Sequence, residues 1–293
     1  MRPRIELLAS GLRYPEGPVR HGVRDVTFVE LAGQRIQRWS DGHLDVVASL
    51  GGAPNGATLG ADGALYVANN GGLAPTSPSE MWFADDGVSG RLQRVSLDGA
   101  VEDLAADLPG PATHRPNDLR FGPDGWLYYT DPGNWEVFPD RTGYEGGAVC
   151  RMGPDGGLDL FASLDEFANG LAFSPDWGRL FVAQSMNGRV QSFDLRDPER
   201  RPVEFCRVPA GAPDGIAFDI EGRLYVAGSL ADDGGDAIYI YDPDGTLEAA
   251  LELPPGSDPT NLCLGDDGIY VTLGLGGQLV FVDHPAKPAP LLP

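Results

Sequence analysis

Three cysteines and four histidines are scattered through 293 residues, which leaves little room for the chemistries those side chains usually carry. Cys150, Cys206 and Cys263 are odd in number, widely spaced and set among strand-forming residues. No disulfide framework or zinc cluster is indicated, and reduced thiols are expected. His21, His43, His114 and His284 never pair at the spacing of a helical zinc site, which removes that class of metalloenzyme. Helical periodicity is nearly missing, with one turn at most over Glu166-Phe167-Ala168. No apolar run reaches membrane-spanning length, and Met1-Arg2-Pro3-Arg4 is not the start of a signal peptide, so a soluble cytoplasmic protein is expected. Basic residues are also few: 21 Lys and Arg against 43 Asp and Glu give a net charge of -22. That balance argues against nucleic acid and anionic membranes as partners. Neither a Gly-x-Ser-x-Gly elbow nor a Ser-His-Asp order is present to offer a serine mechanism.

What the chain has in quantity is glycine (41), proline (26) and a repeated phrase. The fullest copy runs His114-Arg115-Pro116-Asn117-Asp118, an apolar strand, Asp124-Gly125, then Trp126-Leu127-Tyr128-Tyr129. The phrase returns from Pro54-Asn55-Gly56, Ala168-Asn169-Gly170 and Pro213-Asp214-Gly215, with weaker copies from Pro15-Glu16-Gly17 and Pro259-Thr260-Asn261. Each copy offers four strand signals, and the third strands, such as Arg91-Leu92-Gln93-Arg94-Val95, alternate at period two. Residues 5–10 resemble Leu44–Ser49 and Leu158–Ser163, which end their units, so an outer strand stands at the wrong end of the chain. In a radial array that strand completes the last unit and removes an exposed sheet edge. Residues 1–293 are therefore expected to form a single all-β domain, a six-bladed β-propeller with four antiparallel strands per blade, closed by the N-terminal strand.

The blades differ in length. Sixty-two positions separate Asn55 from Asn117, against 45 from Asn169 to Asp214. The excess falls near Gly71–Phe83, with a second long stretch around Asn134–Phe138 to Tyr144-Glu145, both after a second strand. Propeller connectivity places such loops over the start of the innermost strands, so these aromatic-bearing insertions are expected to overhang the channel. Trp82 and Trp135 are candidates to line a pocket there, whereas Trp126 reads as core.

One position in every phrase, at the start of the innermost strand, is held in turn by Glu16, Asn55, Asn117, Asn169, Asp214 and Thr260. Radial symmetry gathers all six at one channel mouth. Asn-Gly and Asp-Gly are turn dipeptides taken singly. In register they form a ring whose members all carry oxygen, a donor set suited to calcium or magnesium rather than a thiol-seeking ion. Asn55 and Thr260 read as the structural members.

Tyr14-Pro15-Glu16-Gly17-Pro18, Arg115-Pro116-Asn117-Asp118 with Thr130-Asp131-Pro132, Asn169-Gly170-Leu171-Ala172-Phe173 and Pro213-Asp214-Gly215-Ile216-Ala217-Phe218 together resemble the SMP-30/gluconolactonase/luciferin-regenerating-enzyme family over nearly the whole chain. The resemblance implies a metal-dependent hydrolase that opens a lactone, in the first instance a sugar lactone. It implies one divalent ion, calcium first and zinc, magnesium or manganese as alternatives, held by Glu16, Asn169 and Asp214, with Asn117 as fourth ligand or substrate contact. Arg115 is then the substrate-orienting arginine, Asp214 the base, and Asp118 a second carboxylate near the substrate. His114 reads as a solvated or packing residue. The rival readings are a phosphotriesterase on the same ring and a non-catalytic ligand-binding propeller with a structural ion. The partner is a small molecule, and the chain is expected to be a monomer or small homo-oligomer. Asn55-Gly56 and the long inserts after it depart from the animal members.

Overall fold

Alternating apolar residues, broken every few positions by Asp-Gly, make antiparallel hairpins the favoured local structure, and the turn chemistry is specific. In the Gly60–Gly63 turn, Gly63 takes φ +75° and donates to Gly60 O, while Asp62 accepts from Ala64 N–H at 3.1 Å. Asp124 repeats the arrangement with Trp126 N–H and also accepts from the Tyr128 hydroxyl at 2.9 Å. The turn aspartate thus anchors both the backbone and the strand that follows it.

A computed structural model of the chain describes residues 3–77, 80–137, 141–229 and 236–290. Met1, Arg2, Pro78, Ser79 and Phe138, which belong to the N-terminus and the insertions discussed above, lie outside the described residues. Six four-stranded antiparallel sheets form the blades of a six-bladed β-propeller. Their innermost strands are Pro15–Gly22, Pro54–Leu59, Leu119–Phe121, Ala168–Phe173, Ala212–Phe218 and Pro259–Leu264. Blade 6 takes its outermost strand from the N-terminus: Ile5–Ser10 pairs antiparallel with Gln278–Val282, with Ile5 opposite Val282. The expected closure is present.

The core lies between the blades. Ile238 and Leu251 of blade 5 pack with Leu262, Val271 and Val280 of blade 6, all essentially inaccessible. Val29 and Ile36 of blade 1 pack likewise with Leu65, Val67 and Val95 of blade 2. Each such side chain contributes roughly 1.5–3 kcal/mol on burial, so the blades are held by their faces as well as by the ring closure.

Glu166-Phe167-Ala168 forms no helical turn: Ala168 opens an innermost strand, and Phe167 packs edge-on against Trp135 with ring centroids 5.6 Å apart. Among the described residues, 3-10 turns occur instead at Trp135–Val137 and Ser185–Asn187. The blade-two insertion contains a hairpin, Leu73–Ser77 with Glu80–Phe83. Among the described residues, no helix is long and apolar enough to cross a membrane.

Candidate active site

Every innermost strand except the short third one breaks register at its ring residue. The shifts fall between Glu16 and Val19, Pro54 and Gly56, Ala168 and Leu171, Pro213 and Ile216, and Pro259 and Asn261. A bulge bends the strand and re-aims a side chain out of the alternating pattern. Here it turns the ring residues into the channel. Glu16, Asn55, Asn117, Asn169 and Asp214 all line one cavity of about 70 Å³. Thr260 does not line it; its hydroxyl donates to Pro15 O at 2.9 Å and ties blade 6 to blade 1.

The glycines beside the ring residues are inside strands, and close approach of the next blade explains them better than a turn does. A Cβ on Gly170 would sit 2.4 Å from Asp214 O, and one on Gly56 would sit 2.5 Å from Asn117 O. Two blades carry a side chain at this second level, Asp118 and Asn261, and each extends toward a neighbouring glycine. Gly56 leaves room for Asp118 and Gly215 for Asn261. Asp118 is therefore one layer below the cavity and does not line it. Its Oδ1 accepts from Leu119 N–H at 2.8 Å and from Arg120 at 3.2 Å, and its Oδ2 accepts from Leu171 N–H at 3.3 Å. Asn261 repeats the first bond, accepting from Leu262 N–H at 2.8 Å, and hydrogen-bonds Glu16.

Negative charge accumulates around this cavity. Burial pushes the Glu16 carboxyl up to about 8, helped by the Asp118 and Asp258 charges and opposed by hydrogen bonds from Gly17 N–H and Asn261. Asp214 is held well above the ordinary carboxylate range, first by burial and then by the charges of Glu16, Asp258 and Asp118. Burial also raises Asp118, with Arg120 pulling the other way. Among the described residues, neither Glu16 nor Asp214 has an arginine or lysine within ion-pair distance. The Asn169 amide donates to Ser185 Oγ at 2.9 Å, which in turn donates to Pro213 O at 2.9 Å, and Asn169 also hydrogen-bonds Asp214. With its N–H groups used there, the Asn169 carbonyl oxygen remains for whatever occupies the cavity.

This donor set fits a hard divalent cation. Two uncompensated carboxylates and three amide side chains face one another, and no histidine or cysteine lines the cavity. Among the described residues no three His, Cys, Asp or Glu side chains cluster as a metal site; amide oxygens make up the remainder here.

The insertions overhang the mouth as expected, through Pro75 and Trp135, which both line the cavity. Leu73, Trp135 and Phe167 pack together behind them. Among the described residues, the Trp135 Nε1 is buried without a hydrogen-bond partner. Trp82 does not line the cavity; Arg13 lies over its ring at 5.8 Å. Trp126 is half-buried at the periphery, with the Arg151 guanidinium over its ring at 4.4 Å. Arg115 is near the rim but outside the lining, its Nη2 on Glu136 at 3.3 Å and its Nη1 on Asn70 O at 3.3 Å. His114 bonds Asp131 at 3.1 Å and has a packing role.

Tyr14, Ser185 and Asp258 were not singled out by spacing. Tyr14 lines the cavity, hydrogen-bonds Asp258 and is raised well above its ordinary pKa by burial and by the Asp258 and Asp214 charges. Tyr14 and Asp258 stand one residue before Pro15 and Pro259, at φ 57° and 58°. A left-handed backbone at such residues is strained, and strain of this kind gathers at functional sites. The available signal was their shared place in the phrase, immediately before its proline.

The family model for the SMP-30/Gluconolactonase/LRE-like region matches residues 14–274. A gluconolactonase of Zymomonas mobilis is 29% identical over 299 residues, covering 95% of this chain and 80% of its own length. A regucalcin of Xenopus laevis is 25% identical over 259 residues, covering 86% and 79%. The structure of a gluconolactonase from Xanthomonas campestris superposes with a TM-score of 0.77 at 25% identity, over 97% of this chain and 90% of that one. With the match spanning all six ring positions and the innermost strands that carry them, the chain belongs to the SMP-30/gluconolactonase/LRE-like family.

Proposed function

We propose that this protein is a metal-dependent lactonase that hydrolyses a sugar lactone in the cavity bounded by Glu16 and Asp214. The observation that carries the reading is the pair of buried carboxylates whose charge no protein cation offsets, facing three amide side chains in one cavity. Gluconolactonase relatives that align along most of the chain supply the substrate class.

Glu16, Asn169 and Asp214 would hold the ion, with Asn117 as a fourth ligand or a contact to substrate. A bound divalent cation polarises the lactone carbonyl and acidifies nearby water, calcium less strongly than zinc. Calcium is the first choice, with zinc, magnesium and manganese as the alternatives; a weakly acidifying ion would leave the proton transfer to a protein base. Asp214 takes the proton of the attacking water as its oxygen bonds to the carbonyl carbon. That proton goes to the ring oxygen as the acyl C–O bond breaks, so lactone and water give one hydroxy acid. Trp135, which lines the cavity, presents its ring to the sugar, an apolar face suited to C–H groups. Arg115, fixed by Glu136 at the rim, orients substrate oxygens entering the mouth. Asp118 acts from below, as a charge that biases Glu16. The three unpaired cysteines suit a cytoplasmic location, and a monomer or small homo-oligomer completes the proposal.

Proton release from a panel of sugar and aliphatic lactones, corrected for spontaneous opening, tests this reading with cation-stripped protein and with calcium, magnesium, manganese or zinc restored singly. Turnover that vanishes on stripping and returns with one ion is the expected result. Tight cation binding without lactone turnover, followed by cleavage of a phosphotriester, would replace the lactonase by the phosphotriesterase reading; no turnover of either would leave a binding propeller.

A further inference from the structure

The six innermost strands run in the same direction, so the residues at their ends surround the opposite mouth of the channel. A second cavity of about 330 Å³ opens there, far larger than the one at the ring. Its walls are apolar, with Phe121, Phe173, Phe218 and Leu262 among them, and the C-terminal segment forms part of its rim. That segment is pinned to blade 5, where Ala289 N–H donates to Phe218 O at 3.0 Å.

Two features separate this mouth from leftover space. The first is charge. In a chain of net charge -22, the described residues that line the cavity include Arg20 and Arg120 and no carboxylate. Arg120 is already engaged, its Nη1 donating to Asp118, Ala57 O and Leu119 O. Arg20 is less fully engaged: among the described residues its Nε is buried without a hydrogen-bond partner and its guanidinium has no carboxylate within ion-pair distance, although Asp267 stands nearby on the other side of Gly265. Arg20, Arg120 and Cys263 line the same wall, and both guanidinium charges act on the Cys263 thiol, with the Asp267 charge acting the other way. A buried donor without a partner is costly unless a ligand supplies the acceptor.

The second feature is Trp177. Gly63, Gly125 and Gly222 take the left-handed position of their turns, each donating to the carbonyl three residues back, and Trp177 takes that position in blade 4 at φ 59°. A bulky residue is a steric outlier there, where glycine is free of strain. The outlier lays an indole along the cavity wall, tilted on Phe173 with centroids 5.9 Å apart.

We propose that this second mouth binds an amphipathic carboxylate, its head on the Arg20 guanidinium and its aliphatic body against Trp177 and Phe173. An apolar pocket with one or two convergent polar groups is the usual form of a small-molecule site. At roughly 30 Å³ per non-hydrogen atom, the cavity holds a body of about ten atoms, the size of a medium-chain acyl carboxylate. This site is independent of the lactonase reading, since it shares no lining residue with the ring cavity.

The test titrates the full chain with decanoate, below its micellar range, and with decanol as the uncharged comparator, following heat and tryptophan fluorescence. Decanoate is expected to saturate one site and to bind more tightly than decanol. Arg20→Met is expected to weaken decanoate by roughly tenfold or more, the loss of a charge-assisted hydrogen bond, while leaving decanol unchanged. Trp177→Gly restores the residue of the other turns, keeps the fold, and should weaken both ligands. Absence of saturable binding, decanol binding as tightly as decanoate, or wild-type decanoate affinity in both variants would overturn the proposal.

Discussion

At the scale of single residues, Asp214 and Glu16 carry opposite experimental signatures. Asp214→Asn preserves shape and one oxygen but removes the charge and the basicity. Turnover is expected to fall on the order of 10²- to 10⁴-fold with the circular dichroism spectrum unchanged. Full activity in that variant would remove Asp214 as the base. Glu16 is read through stability. Its folded pKa is above the unfolded one, so between the ordinary carboxylate range and about 8 the native state holds a proton that the unfolded chain has lost. Stability of the cation-free protein should therefore fall as pH rises through that window. Added calcium should abolish the slope and raise the melting temperature by mass action, and Glu16→Gln should reduce the slope of the cation-free profile, leaving the share that Asp214 contributes. A melting temperature that climbs with pH in chelator would contradict the described burial of Glu16.

At the scale of strands, the bulge and its glycine form one device: the bulge aims the ring residue and the glycine admits the neighbouring blade. Gly170→Ala puts a methyl 2.4 Å from Asp214 O and 2.8 Å from Gly215 Cα, and neither backbone atom can yield without moving the strand that bears Asp214. A loss of about 1–3 kcal/mol in denaturant unfolding is expected, together with a lower kcat. Wild-type values for both would mean that the strands can separate there at no cost. The repeat makes this device partly legible in the sequence itself. The phrase showed six equivalent positions, but Asn-Gly within a strand and Asn-Gly in a turn are the same letters. Asp118 shows the limit. Beside Asn117 in sequence it reads as a site residue, yet the strand places it a layer lower, under the control of Arg120 and Leu171. The hint was that Asp118 and Asn261 stand where four other copies have glycine.

At the scale of the whole molecule, Ile5–Ser10 holds the ring shut against Gln278–Val282. Removing residues 1–10 exposes that strand's unpaired edge, so the truncated protein should aggregate and lose its sharp unfolding transition. We propose that the intact chain unfolds as one cooperative unit, which coincident transitions by tryptophan fluorescence and far-ultraviolet dichroism would show. A soluble truncation with an unchanged midpoint would mean that the inter-blade faces suffice without closure.

Periodicity and repetition are local properties of a chain, and they alone determined the number of blades, the closing strand, the ring of oxygen-bearing residues and the insertions above them. Tertiary structure decided what depends on distance between residues far apart in sequence. It showed that Asn55 faces the cavity, that Arg115 is tied to Glu136 at the rim, and that Tyr14 meets Asp258 across 244 residues of chain. Charge was visible as a total, but its effect was not. A carboxylate on the surface and one in a closed channel are written alike, and only the burial of Glu16 and Asp214 together turns two acidic residues into a demand for a cation.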